Sequence, residues 1–374
     1  MNALFASIPF TIIATGALVA VAASLLGTFL VLRRESLATD AIGHAIVAGI
    51  VLVWLATGLT SGPVQLLGAA LAGVATVLLA NALTRSRRMQ NDAAIGLVFP
   101  AMFSLGVLLL NLFARQVHID AHTVLLGEIG FVWLDTVNVL GVQVPDAMVW
   151  LGLVTLVNLA FVTAFFKELE LGTFDAAQAA AFGFAPGLLG VALLTLTSVT
   201  AVASFDAVGV VLFVAFAIVP PAAAYLLSDR LHRVLLIASG IGIASSVLGY
   251  FVAVAWDVSI GGMMAVMTGV FLSGALAFGP RYGIVAQAVR RRGEREVGEN
   301  RALAVHLCQH EADPDVGEEN VLEALRGHLR WPDAKARAVV ARCIDQGWVK
   351  RDGRVLTLTD RGRSAAREIL RPGG

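Results

Sequence analysis

Asp40 and His44 stand one helical turn apart in an apolar stretch running from Ser36 to Trp54. At i and i+4 their side chains leave one helix face, and they offer an oxygen and a nitrogen donor of the kind a divalent transition metal accepts. An acidic residue at the centre of a membrane-crossing helix costs ~2.5–3.5 kcal/mol on insertion scales, which argues that the pair has a task. The plainer alternative is an Asp hydrogen-bonded to nearby backbone beside a His packed between helices, a common fate of polar residues in membrane bundles. Two donors per chain make only a weak site, and weak holding suits an ion that must leave again.

Three further groups have ligand chemistry. His118, Asp120 and His122, spaced two apart, would share one face of an extended segment, either as a metal funnel or as a solvated loop. Met263, Met264 and Met267 with Asp257 offer soft sulfur, although core packing explains the methionines more simply. His306 and His310, again at i and i+4 and close to Cys308 and Glu311, read either as a metal-sensing site or as surface histidines of an exposed helix.

The chain that must position these groups is apolar. Hydrophobic residues make up 57% and charged ones 14%, with a mean hydropathy of +0.80, the signature of a membrane protein with many spans. Residues 1–289 hold ten Lys and Arg and thirteen Asp and Glu, whereas the last 85 residues hold seventeen and fourteen. The zero net charge therefore averages an apolar body and a charge-rich tail, and it excludes no class of partner. Both cysteines, Cys308 and Cys343, fall in the tail, so no disulfide framework and a reduced compartment are expected.

The first apolar run lacks a basic leader and is followed by many others, so it reads as a span and not a cleaved signal. Runs of about 20 residues suffice to cross a bilayer, and they fall at 8–32, 36–57, 63–84, 92–114, 144–166, 187–203, 206–227, 234–256 and 260–280. The sixth is short and Gly-rich, which leaves eight or nine spans. Arg33-Arg34, Arg85 with Arg87-Arg88, Lys167, Arg230 with Arg233, and Arg281 with Arg290-Arg291-Arg292 fall at alternate ends, while the other loops carry only Arg115. The positive-inside rule puts those five clusters in the cytosol. Nine spans then leave the N-terminus outside and the tail inside. The outer segment 115–143, with His118, Asp120, His122, Glu128 and Asp135, is expected to contain a re-entrant or interfacial helix.

An ordered series of motifs carries a family resemblance over about residues 1–285. Arg33-Arg34-Glu35-Ser36-Leu37 leading to Asp40-Ala41-Ile42-Gly43-His44, then Asn91-Asp92-Ala93-Ala94-Ile95-Gly96, His118-Ile119-Asp120, Phe174-Asp175 and Ile218-Val219-Pro220-Pro221 resemble the permease family of ABC-type manganese, zinc and iron importers. The resemblance implies a type II ABC importer permease in the bacterial cytoplasmic membrane, forming a homodimeric pore. It also implies an ABC ATPase subunit below and an extracytoplasmic metal-binding protein above. Asp40 and His44 match the acidic and histidine positions proposed to coordinate the ion in transit, and two-fold symmetry would bring four donors to the dimer axis. No cofactor is expected beyond the transported ion. The chain is not expected to be an enzyme. Its three lysines, Lys167, Lys335 and Lys350, stand outside any Gly-rich phosphate cradle ending in Gly-Lys-Ser/Thr, so ATP hydrolysis must come from another chain.

Residues 171–187 predict a short loop helix, with Thr173 or Asp175 near its start, an alanine-rich body, and Gly183 then Pro186 ending it. The loop resembles the coupling helix of vitamin B12 and metal permeases, which implies docking into the ATPase through Phe174, Ala179 and Phe182. An ordinary amphipathic loop helix is the alternative.

The tail reads as a charged linker at 286–297 followed by a domain at 298–374. Helices are expected at 298–311, 318–328 and 333–346, then a hairpin around Asp352-Gly353, then a helix from Thr359 to about 371. That order describes a small cytosolic α+β winged-helix domain. Leu358-Thr359-Asp360-Arg361-Gly362-Arg363 resembles the post-wing segment of diphtheria-toxin-repressor-type metalloregulators. Lys335, Arg337 and Arg342 could reach phosphates, but the tail's acidic residues nearly balance its basic ones. Nucleic acid is therefore an unfavoured partner, and an interaction or regulatory module is favoured.

The fold expected is an all-α polytopic membrane body with this appended domain. For the body, an ATP-driven importer leads, and an ion-coupled secondary carrier or channel using the same pair is the runner-up. The coupling loop and the lack of evident inverted repeats favour the importer. A membrane-anchored transcription regulator is a third class, and it requires the tail to bind operator DNA.

Overall fold

The computed structural model describes residues 7–58, 63–86, 89–113, 127, 129–139, 141–280, 283–311 and 316–370. The chain divides into two compact units, Met1–Gly283 and Ile284–Gly374.

The first unit opens with helices α1 (Ile8–Leu32), α2 (Leu37–Thr57), α3 (Pro63–Arg85) and α4 (Asn91–Phe113). A 3-10 turn at Ile129–Phe131 and a hairpin of β1 (Thr136–Val139) and β2 (Val142–Pro145) precede α5 (Asp146–Ala164). Two short helices follow, α6 (Phe166–Phe174) and α7 (Ala176–Ala181), then the long α8 (Pro186–Leu227), α9 (Leu231–Trp256) and α10 (Ile260–Phe278). Among the described residues nine stretches are long and apolar enough to cross a membrane, α8 supplying two, Pro186–Phe205 and Ala207–Leu227. The helix breaks just inside the second of these, at Gly209, whose φ 74° and ψ 171° lie in a backbone region open essentially to glycine alone.

The expected spans agree with these helices to within a few residues, and the sixth is long enough to count. The described part of the outer segment holds a 3-10 turn and a hairpin, and the rest of the stretch expected to contain a re-entrant or interfacial helix lies outside the described residues. Alternation in Thr136-Val137-Asn138-Val139 favours strand, and Asn138 Oδ1 accepts from the Gly141 amide at 2.9 Å to close the turn.

Helix α1 is the most enclosed span, 72% buried over its apolar window, and it packs against α5, α8 and α9. Its polar residues are tolerated there because their hydroxyls donate back along the helix. Thr15 Oγ1 bonds Thr11 O at 2.8 Å, Thr28 Oγ1 bonds Ser24 O at 2.7 Å, and Ser24 bonds Ala20 O. Asn158 Nδ2 donates to Thr200 Oγ1 at 2.9 Å, tying α5 to α8.

Small residues fix α2 against its neighbours, as expected where no hydrophobic effect separates protein from lipid. A Cβ at Gly49 would lie 2.3 Å from the Gly68 carbonyl oxygen of α3, and one at Gly106 on α4 would lie 2.7 Å from the Ala48 amide nitrogen. Gly106→Leu should therefore push α4 off α2, at the usual overpacking cost of about 1–3 kcal/mol. Thermal unfolding in detergent should show a lowered midpoint for this variant and none for Gly96→Leu, whose added carbon meets nothing within 4 Å.

The second unit contains α11 (Ile284–Gln309), α12 (Val316–Glu319), α13 (Ala324–His328), α14 (Asp333–Asp345), the antiparallel strands β3 (Val349–Asp352) and β4 (Val355–Leu358), and α15 (Asp360–Leu370). Leu303, Leu307, Leu325, Val339, Leu356 and Ala366 are buried in its core. The segment read as a linker is helical and continuous with the first tail helix. Arg and Glu are good helix formers, and Arg295 pairs with Glu299 at i,i+4 and 3.1 Å. The second tail helix is two short pieces, because Val321 between them bridges to Val355 of β4. Gly353-Arg354 connects the strands, with Gly353 at φ 62°. Thr359 caps α15, its Oγ1 accepting from the Gly362 amide at 3.1 Å.

Glu299 holds α11 to α14, with Lys335 Nζ at 2.9 Å and Arg342 Nη2 at 2.8 Å. Burial pushes its carboxyl up, but hydrogen bonds from Lys335, Arg342 and Arg295 outweigh that and hold it below the ordinary carboxylate range. A depressed folded-state value means this contribution is complete above the unfolded value and is lost as pH falls through the folded one. Hydrogen exchange at α14 amides should accelerate as pH drops below the ordinary value of 4.5, after correction for the intrinsic rate, and Glu299→Gln should be fast at neutral pH already.

Candidate functional site

Asp40 lies in the first turn of α2, and His44 Nε2 stands 3.6 Å from Asp40 Oδ1. Two ligands of one tetrahedral ion, each 2.0–2.2 Å from it, are about 3.4 Å apart, so one ion could bridge these atoms with little movement. The side chains are 44% and 28% exposed for Asp40 and His44. With Val47 and Ile50 they form the less buried stripe of α2, while Ala41, Ala45, Ala48 and Gly49 are buried. The His44 ring is held from α4 by Phe99, tilted at 5.2 Å between centroids, and by Phe103, edge-on at 5.6 Å. Pro100 lies inside α4 between them.

The break in α8 borders the same helix. A Cβ at Gly43, next to His44, would lie 2.8 Å from Val210 Cγ1, one residue past Gly209. Gly127, at φ 62°, is seated on the break, and a Cβ there would lie 2.1 Å from the Gly209 amide nitrogen. A discontinuous helix at membrane depth exposes backbone groups that an ion or water can use. The sequence places Gly209 inside the expected span 206–227, so neither this break nor the Gly209–Gly127 contact is legible there.

Of the outer constellation, His118, Asp120 and His122 lie outside the described residues. Met264 is fully buried, packed on Gly16 and Gly249, which makes it a core residue and not a ligand.

The loop at 171–187 folds as expected in outline. Asp175 is the N-cap of α7, its Oδ1 accepting from the Gln178 amide at 2.8 Å, and Gly183 turns the chain at φ 85°. Phe174 and Phe182 are 64% and 66% exposed. Ala179, expected to join them in docking, is fully buried: it seats α7 on the chain. A helix of six residues carries too little periodicity to tell its inner from its outer face. Thr173 contributes differently, accepting from Arg33 Nε at 3.2 Å and so fastening α6 to the end of α1.

In the tail, His306 and His310 are joined by His328 of α13, and the three ligand-capable nitrogens lie within 4.8 Å of one another. Glu311 is engaged elsewhere, by Arg363. Cys343 is buried, which pushes its thiol up to about 11 despite Arg342 beside it. It is a packing residue, and both cysteines are free thiols.

Residues 7–279 match the model of the ABC 3 transport family. A zinc transport system membrane protein, TroD of Treponema pallidum, is 40% identical over 352 residues, covering 94% of this chain and 96% of its own length. That alignment is longer than the first unit and so extends into the tail. A manganese transport system membrane protein, MntD of Bacillus subtilis, is 44% identical over 280 residues, covering 75% of this chain and 95% of its own. Among solved structures, PsaBC from Streptococcus pneumoniae in complex with Fab aligns at a TM-score of 0.61 and 26% identity, over 73% of this chain and 92% of that one.

Proposed function

The chain belongs to the ABC 3 transport family, and on that footing we propose that it is the membrane-spanning permease subunit of an ATP-driven importer of a divalent transition metal ion. Zinc and manganese are the ions in the names of its relatives TroD and MntD. The observation that carries the reading is the Asp40–His44 pair, 3.6 Å apart on the less buried stripe of α2 and beside the broken α8. A carboxylate and an imidazole are ligands that zinc, manganese and ferrous iron all accept. A second copy packed across this stripe would raise the donors from two to four.

Each remaining part has a role in that scheme. Phe174 and Phe182 dock into an ATPase subunit, with Asp175 and Gly183 shaping α7 and Ala179 seating it. Nucleotide-driven closure then moves the spans as bodies through the Arg33–Thr173 tie. A metal-binding protein outside delivers the ion past His118, Asp120 and His122. The tail is a winged-helix module in the cytosol, with His306 and His310 on its first helix. It acts through protein contacts and not through DNA, since Glu299 occupies Lys335 and Arg342.

Inverted vesicles do not suit an importer, so the test uses proteoliposomes holding permease, ATPase and binding protein, with ATP enclosed. Uptake of labelled zinc or manganese should require ATP and persist when an ionophore collapses the proton gradient. Uptake without ATP that fails with the ionophore would identify an ion-coupled carrier instead.

A further inference from the structure

We propose that His306, His310 and His328 form a binding site for a zinc-class divalent ion within the tail, with Glu319 orienting His328. The site lies wholly within the second unit and does not depend on the transport reading. His306 and His310 sit one turn apart near the end of α11, and His328 reaches them from the end of α13. Ring centroids are 4.8 Å apart for His306 and His310, 5.3 Å for His306 and His328, and 5.6 Å for His310 and His328. Closing onto a tetrahedral ion needs nitrogens about 3.4 Å apart, a contraction that side-chain rotation supplies from nitrogens within 4.8 Å.

Two observations separate this cluster from a chance meeting of histidines. Nε2 of His306, a residue only 5% exposed, has no hydrogen-bond partner. Leaving a buried polar atom unsatisfied is costly, and a bound cation facing it removes that deficit. Nδ1 of His328 lies 3.1 Å from Glu319 Oε2. A carboxylate on one imidazole nitrogen fixes the tautomer and turns the other nitrogen toward a metal.

The donor set defines the ion. Three imidazoles suit zinc, nickel, copper or iron, whereas manganese prefers oxygen ligands. Three protein ligands leave a fourth position open to water or a further group. Exposure rises from buried His306 through His310 to exposed His328, which gives the ion a route in from solvent.

The test uses the full chain in detergent, purified through a tag without histidine. Asp40→Asn and His44→Ala are both present, so that metal held by the membrane pair is not counted. Equilibrium dialysis against buffered Zn2+ should give one tightly held equivalent per chain. His310→Gln with His328→Gln, both away from the core, should lose it, and Glu319→Gln should weaken it roughly 10–100-fold. Co2+ in place of Zn2+ should give the intense visible absorption of a four-coordinate site, absent in the double variant. Unchanged Zn2+ stoichiometry and affinity in the double variant would overturn the proposal, as would displacement of Zn2+ by an equal concentration of Mn2+.

Discussion

Asp40→Asn and His44→Ala should each cut ATP-dependent metal uptake by roughly 10–100-fold or more, at unchanged membrane expression. Disturbing even the partners of a metal ligand costs 10–100-fold, and these substitutions remove ligands. Asn keeps the shape of Asp40 but loses the charge that offsets the cation. The fold should survive, because neither residue belongs to the buried core and α2 is held by Gly49, Ala48 and Gly43 against α3, α4 and α8. His44→Ala also removes the contacts with Phe99 and Phe103, so His44→Gln separates packing from ligation by retaining bulk. Equal loss in both His44 variants assigns the ring to ligation. Recovery in His44→Gln would make it a spacer.

The second large effect is expected at the loop. Phe174→Asp with Phe182→Asp should abolish co-purification of the ATPase subunit while the permease folds normally. Both rings are mostly exposed, so the free chain loses little. Burying a phenylalanine side chain contributes about 1.5–3 kcal/mol, and losing two of them weakens binding roughly a hundredfold or more. Leu156→Ala, at an equally exposed apolar position on α5, is the control and should leave the complex intact. Retention of the ATPase by the double variant would move the coupling surface elsewhere.

The sequence was most informative where one strong physical signal acts alone. Apolar runs of bilayer length marked the spans, because in lipid every backbone polar group must be paired within a helix. The i,i+4 spacing placed Asp40 and His44 together, since a helix brings such residues onto one face whatever surrounds it. The misses have a different character. His328 lies on another helix from His306, and no local periodicity links them. Ala179 belongs to a helix too short to display a buried face. The 286–297 segment was read through its charge, although Arg and Glu are as compatible with a helix as with a linker. The contact of Gly127 with Gly209 joins residues far apart in the chain, and only the folded bundle brings them together.

The central claim is that Asp40 and His44 hold the ion in transit, and anomalous diffraction from crystals of the permease–ATPase complex grown with zinc or manganese addresses it directly. An anomalous peak is expected within coordination distance of Asp40 and His44 where two copies meet, lost in Asp40→Asn with His44→Ala. A transported metal found elsewhere in the membrane region, with this pair unligated in every copy, would contradict that claim.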